Sequence, residues 1–133
     1  MSANNQQPER YSTPVMSRET MKRRTKAFAL EVIGFVDSLP RTRSADVLGR
    51  QLIRSGTSVG ANYRAACRGR SPAEFIAKLG IVEEETDEAA YWLELLVEAG
   101  IVTEDKAAHI LSEADQLLSI TVATIRTARK NVR

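Results

Sequence analysis

Apolar residues recur along this chain with the spacing of one face of an α-helix, in four stretches separated by short connections. In the first stretch, Phe28, Val32, Phe35 and Leu39 are spaced at intervals of three and four residues. No segment alternates between apolar and polar residues as a half-buried β-strand does. The pattern therefore predicts an all-α protein.

Capping residues and helix breakers place the four predicted helices at about 17–38, 44–68, 72–99 and 103–130. The connections between them are only a few residues long, which favours antiparallel packing of consecutive helices. We therefore expect one domain over 17–133, an up-down-up-down antiparallel four-helix bundle. Residues 1–16 are rich in Asn, Gln, Ser, Thr and Pro, and we expect them to form a disordered, flexible tail.

The turn between the second and third helices carries the clearest local signals. Gly69 follows the second helix, at a position where a left-handed residue often ends a helix. Ser71 suits the N-cap, and Pro72 suits the first helical position. Glu74 is spaced from Ser71 to complete a capping box. A sharp reversal between two long helices is therefore expected here.

Composition bounds the class of protein. The chain has 133 residues, of which 43% are hydrophobic, so it is long enough and apolar enough for one globular core. Its single cysteine cannot form an internal disulfide, which favours a reducing compartment. The N-terminal residues lack the apolar segment of a signal peptide, and no stretch is long enough to cross a membrane. We expect a cytoplasmic protein with no membrane partner.

The net charge of +2 hides an uneven distribution of charge. In the predicted topology, the start of the first helix, the second turn and the end of the fourth helix share one end of the bundle. We name it the basic end; its cations are Lys22, Arg23, Arg24, Lys26, Arg64, Arg68, Arg70, Arg126, Arg129 and Lys130. Such a cluster is the electrostatic footprint of a phosphate-backbone binder. The alternative is a solvated end with no ligand.

Two charged stripes run along the middle helices. Arg50 and Arg54 lie on one side of the second helix, and Glu83, Asp87 and Glu94 lie close together around the third. These stripes suggest an interface between subunits, with the second helix of one copy against the third helix of the next. Exposed faces with weak pairs inside one helix are the competing interpretation.

The second helix has an unusual number of small residues. Gly56 and Gly60 lie inside it, where each costs ~1 kcal/mol relative to alanine. Such a face lets another helix approach closely. Ser55, Ser58 and Asn62 lie on or near this face, and a buried amide needs partners. We interpret these three residues and Glu85 of the third helix as a structural polar network that fixes helix register.

Candidate chemistry is sparse. Glu85 and Glu88 have the spacing of a di-metal helix, but the only histidine, His109, forms no Glu-x-x-His motif. Arginines flank Cys67, yet a small buried helix residue is the better interpretation because no base lies beside it in sequence. We therefore expect no catalytic residue, no metal, no cofactor and no small-molecule substrate.

The central part of the chain resembles a known bacterial family. The matching pieces are Arg54-Ser55, Ser58-Val59, Ala61-Asn62-Tyr63-Arg64, Arg70-Ser71, Glu74-Phe75-Ile76, Lys78-Leu79, Asp87-Glu88 and Tyr91-Trp92-Leu93. They resemble the four-helix-bundle proteins of intervening sequences in 23S ribosomal RNA genes. The resemblance implies a cyclic homopentamer without enzymatic activity. A similar branch, the accessory variability determinant of diversity-generating retroelements, is a basic pentameric barrel that binds a reverse transcriptase and nucleic acid.

Two functions follow as expectations. The first is a non-enzymatic, oligomeric accessory factor that contacts RNA or DNA phosphates without sequence specificity, through a basic end or pore. The alternative is a protein-interaction scaffold that docks a partner such as a reverse transcriptase and has no direct nucleic-acid role.

Overall fold

The computed structural model describes residues 16–132, and this part of the chain is built from four long helices without a β-strand. The helices are α1 (Arg18–Asp37), α2 (Arg43–Cys67), α3 (Pro72–Glu98) and α4 (Glu104–Lys130). The all-α prediction is confirmed. The predicted tail lies outside the described residues except for Met16, which is half-buried and packs against the core. None of the helices in the described part has the length and apolarity needed to cross a membrane.

Each helix begins with a hydroxyl side chain that accepts a hydrogen bond from the backbone N–H three residues later. These N-caps are Ser17, Thr42, Ser71 and Thr103. For α2 the cap differs from the predicted start near Ser44, because the Thr42 hydroxyl accepts from Ala45 N at 3.2 Å. The local sequence contains two hydroxyl residues that could cap the helix, Thr42 and Ser44, and the earlier of them is the N-cap.

The turn between α2 and α3 corrects one prediction about Gly69. Gly69 is not left-handed; among the described residues only Gly100 has a positive φ, of 77°. What Gly69 supplies is space, since a Cβ there would lie 3.0 Å from the Ala66 carbonyl oxygen and 3.2 Å from Phe75 N. The capping box also closes differently: the Glu74 carboxylate accepts from the backbone N–H of Arg70, at 2.7 Å, not from that of Ser71.

The four helices pack as neighbours around a square. Contacts join α1 to α2, α2 to α3, α3 to α4 and, least extensively, α4 to α1, while no Cα atoms of the diagonal pairs come within 8 Å of each other in the described residues. Arg18 at the start of α1 donates to the carbonyl oxygen of Cys67 at the end of α2, over 3.4 Å. Consecutive helices therefore run antiparallel, in the predicted up-down-up-down order.

The core is mostly aliphatic, and α1 approaches α2 closely at the glycines of α2. Fully buried side chains from all four helices meet inside, among them Leu52, Val82 and Leu117. A Cβ at Gly56 would come within 2.8 Å of Val32 Cγ2, and one at Gly60 within 3.3 Å of Thr25 Oγ1. The small-residue face of α2 thus receives α1, as a close-packing face should.

Each helix also buries one serine or threonine hydroxyl. Thr25, Ser55, Thr86 and Thr121 donate to the backbone carbonyl four residues earlier in their own helices, over 2.9, 3.0, 2.7 and 2.8 Å. No buried side-chain nitrogen or oxygen between residues 16 and 132 lacks a partner. These polar atoms are satisfied without any bond between helices.

Candidate nucleic-acid interface

The basic end is assembled from two helix starts and two helix ends. The guanidinium of Arg18 at the start of α1 lies 4.8 Å from the ring centroid of Phe75, in the first turn of α3. Arg18, Arg70 and Phe75 line one surface groove together with Ala128 and Val132 from the end of α4 and beyond. The predicted convergence of these segments is therefore present.

Most of the residues that were predicted to contact phosphate are exposed. No carboxylate among residues 16–132 lies within salt-bridge distance of their charged groups. These cations are Arg23, Lys26, Arg64, Arg68, Arg70, Arg126, Arg129 and Lys130. Arg18 joins them as an exposed cation that sequence reasoning missed. Its position, next to the predicted N-cap Ser17, was the available signal.

Arg24 does not belong with these exposed cations. Its Nε and Nη2 donate to the Glu113 carboxylate of α4 over 3.0 and 2.8 Å, and Nη2 also donates to Gln116. The hydrogen bond to Glu113 raises the pKa of Arg24 above its already high usual value. With 25% of its side chain exposed, Arg24 joins α1 to α4 and is not free to contact a ligand. Lys22 makes only a long contact with Glu19, 3.7 Å, and stays accessible.

Arg50 and Arg54, which were predicted to lie in a subunit interface, form salt bridges within the chain. Arg54 bridges to α3, where it contacts Glu85 at 3.3 Å and also pairs with Glu88. Glu88 further accepts the indole N–H of Trp92 over 3.0 Å. Arg50 pairs with Asp46 of its own helix at 3.0 Å. The partners of Arg54 lie beside the predicted acidic stripe and not on it.

The acidic residues of that stripe have no cation within salt-bridge distance in the described structure. Asp87 and Glu94 are exposed and Glu83 is half-buried. Glu83 and Asp87 line a groove between α3 and α4. Their part in a subunit interface stays a prediction.

The predicted polar network does not form. The hydroxyls of Ser55 and Ser58 donate to Gln51 and Arg54 carbonyls, and the Asn62 amide donates to the Ser58 carbonyl over 2.9 Å. Within a helix the carbonyl one turn earlier is the nearest acceptor, so these side chains bond their own backbone. Glu85 faces Arg54 instead of the amide.

A second bridge between α1 and α4 was not predicted. His109 Nδ1 lies 2.6 Å from Glu31 Oε2, and this hydrogen bond raises the pKa of His109 above its ordinary value. A signal was present in the spacing: Arg24 and Glu31 lie seven residues apart on one side of α1. Their partners Glu113 and His109 lie four residues apart on α4.

The surroundings of Cys67 differ from those that were predicted. Cys67 is half-buried at the end of α2, less enclosed than predicted. Burial raises the pKa of the neighbouring Tyr63 phenol, and a hydrogen bond with Cys67 acts in the same direction. No group of three potential metal ligands exists among residues 16–132.

These features define a class: an antiparallel four-helix bundle whose terminal segments gather exposed cations at one end. The family model described as 23S rRNA-intervening sequence protein matches residues 19–123, and the chain belongs to that family. It is also similar to the crystal structure of a protein of unknown function from the S23 ribosomal protein family of Bacteroides thetaiotaomicron. The two are 32% identical with a TM-score of 0.78, over 84% of this chain and 99% of that one. None of the curated proteins matches the chain significantly.

Proposed function

We propose that this chain is a non-enzymatic accessory factor whose basic end binds the phosphate backbone of RNA or DNA. The observation that carries the proposal is the set of exposed cations on the converging helix termini, which lack acidic partners in the described structure. Phosphate contacts of this kind give affinity without reading a sequence, because they release counterions from the nucleic acid.

The few acids near the basic end support the same proposal. Glu19 is beside Lys22, and the Glu74 carboxylate accepts the backbone N–H of Arg70. The exposed guanidinium groups around them are left to interact with solution anions. The field at this end is therefore positive although the whole chain carries a net charge of only +2.

We also infer, from the resemblance described above, that the chain acts as a homo-oligomer and that a pentamer is the expected state. A ring of parallel copies presents several basic ends around one axis. Several weak phosphate contacts on one assembly then add to a larger apparent affinity, as linked binding sites do.

The test measures the affinity of the protein for a labelled RNA duplex and for a labelled DNA duplex by fluorescence anisotropy, at salt concentrations between ~50 and ~200 mM. We expect both duplexes to bind at the lower concentration and the affinity to fall steeply as salt is raised. The absence of binding at ~50 mM salt would overturn the proposal.

A matched pair of variants tests whether the basic end is the contact. The triple variant Arg126→Glu, Arg129→Glu, Lys130→Glu should weaken binding by at least ~10-fold, because several phosphate contacts are lost at once. The control reverses three exposed cations at the opposite end, Arg41, Arg43 and Lys106, and changes the net charge equally. Equal losses in both variants would mean that overall charge, and not the basic end, attracts the nucleic acid.

A further inference from the structure

Helix α1 carries an apolar ridge that packs against nothing in the described structure. The ridge consists of Leu30, which is 63% exposed, and Ile33, which is 38% exposed. Val32 of the same helix faces α2 and Glu31 faces α4. At about 100° per residue, the ridge therefore lies on the outer side of α1, turned away from both α2 and α4.

On a different face of the bundle, α3 and α4 form an open groove of about 440 Å³. Its lining combines an apolar floor with acidic walls and consists of Gly80, Glu83, Glu84, Asp87, Leu118 and Val122. A Cβ at Gly80 would meet nothing within 4 Å. A helix interior favours alanine over glycine, so the packing of the chain itself gives no reason for a glycine here.

The ridge and the groove lie at the same distance from the basic end along the helices, which we call their height. The charged residues beside them are of opposite sign. Leu30 and Glu84 each lie about 18 Å from the basic end of their helices, at about 1.5 Å per residue. Exposed Arg23 and Lys26 flank the ridge on its side toward the basic end, and the groove presents Glu83, Glu84 and Asp87. An apolar ridge beside cations thus corresponds to an apolar groove beside carboxylates.

We propose that the ridge of one copy occupies the groove of a second copy, an assignment that rests on the homo-oligomer proposed above. Because ridge and groove lie on different faces, every copy uses both, and the contact is heterologous. Since they also lie at the same height, successive copies do not rise along the helix axes. A rotation between copies that are related in this way closes a ring and does not extend a helical filament.

The experiment measures molar mass in solution for the wild type and for two variants that each block one surface. Leu30→Glu places a carboxylate on the ridge, opposite the acidic groove. Gly80→Phe is expected to fill the groove and to leave the fold intact, because a Cβ at Gly80 would meet nothing within 4 Å. The wild type should be a multiple of 14.7 kDa, and each variant alone should be monomeric.

Mixing the two variants gives the decisive result. Gly80→Phe retains an intact ridge and Leu30→Glu retains an intact groove, so the mixture should form a complex of two chains and no larger species. Val47→Glu is the control, because Val47 is 53% exposed on α2 but belongs to neither surface. It should assemble as the wild type does, and circular dichroism should show the same helix content for all variants.

Three results would overturn the assignment: a monomeric wild type, a mixture that stays monomeric, or a Val47→Glu variant that dissociates as the ridge variant does. A monomeric wild type would also contradict the proposed homo-oligomer, but none of the three results bears on the proposed nucleic-acid binding, which is measured separately with the duplexes. A monomeric Leu30→Glu chain should still bind nucleic acid at low salt through its basic end, with a weaker apparent affinity. An assembled wild type that binds no duplex contradicts the proposed function alone.

Discussion

At the scale of single residues, the pair formed by Glu31 and His109 ties α1 to α4 at the surface of the bundle. The imidazole is fully exposed, yet its hydrogen bond to the carboxylate raises its pKa. Its protonated form is therefore favoured by folding. The α1–α4 seam is the least extensive helix contact in the described structure, so a bridge across it has few neighbours to share its role.

The sign of the pH dependence follows from this raised pKa. The stability contributed by the pair should be fully present below the ordinary histidine pKa of ~6.5 and lost as the pH rises through the higher value of the folded state. We expect the urea midpoint of the wild type to fall between about pH 6 and pH 8.5. His109→Gln leaves no histidine in the chain and should lack this decrease. The same decrease in both proteins would contradict the assignment to His109.

The sequence did not predict which charged side chains of the site would pair with each other. The gathering of cations at one end followed from topology alone. The difference between Arg23, which is exposed, and Arg24, which is bonded to Glu113, did not. Neighbouring residues point about 100° apart on a helix, and only the position of α4 decides which of them meets a carboxylate.

At the scale of the helix, local rules located the elements because the capping signals agree with the apolar period. Ser71 caps the helix that it was expected to cap, and Ser17 and Thr103, at the predicted starts of the first and fourth helices, are the N-caps of α1 and α4. Gly69 was misread, since glycine serves both left-handed turns and close contacts, and the sequence does not distinguish these uses. The residues that approach Gly69, Ala66 and Phe75, belong to two different helices.

The α1–α2 contact makes a prediction at this scale about Gly56. Gly56→Ala gains ~1 kcal/mol of helix propensity, but its Cβ would lie 2.8 Å from Val32 Cγ2. Overpacking of this kind costs ~1–3 kcal/mol, and Val32 has no free space because it is fully buried. We expect the free energy of unfolding, measured in urea, to fall by ~1 kcal/mol.

The control for Gly56 is another helical glycine, Gly34, whose added Cβ would meet nothing within 4 Å. Gly34→Ala should raise the free energy of unfolding by up to ~1 kcal/mol, from helix propensity alone. A Gly56→Ala variant that is stabilised as much as Gly34→Ala would show that α1 and α2 can separate without cost.

At the scale of the whole molecule, the helices do not share contacts equally. The α2–α3 pair has the most extensive contact, and each of these helices also packs on an outer neighbour. Helices α1 and α4 have the least extensive contact, which the Arg24 and His109 bridges cross. The α2–α3 hairpin is therefore expected to be the most stable unit of the fold.

Native-state hydrogen exchange tests this ranking. Amides in the middle of α2 and α3, around Leu52 and Val82, should exchange last, because local opening avoids the elements with the most buried contacts. Amides in the middle of α1 and α4 should exchange earlier. Slowest exchange in α4 would contradict the ranking.

The buried hydroxyls have a consequence for how the interior tolerates change. Thr86, for example, donates to Val82 of its own helix, so a Thr86→Val exchange leaves no unpaired atom on any other helix. The same holds for Thr25, Ser55 and Thr121. Inside the core, shape alone therefore holds each helix against the next, and the polarity of a buried position can change without a matching change on another helix. The interior thus contains polar atoms but encodes no polar pairing between helices.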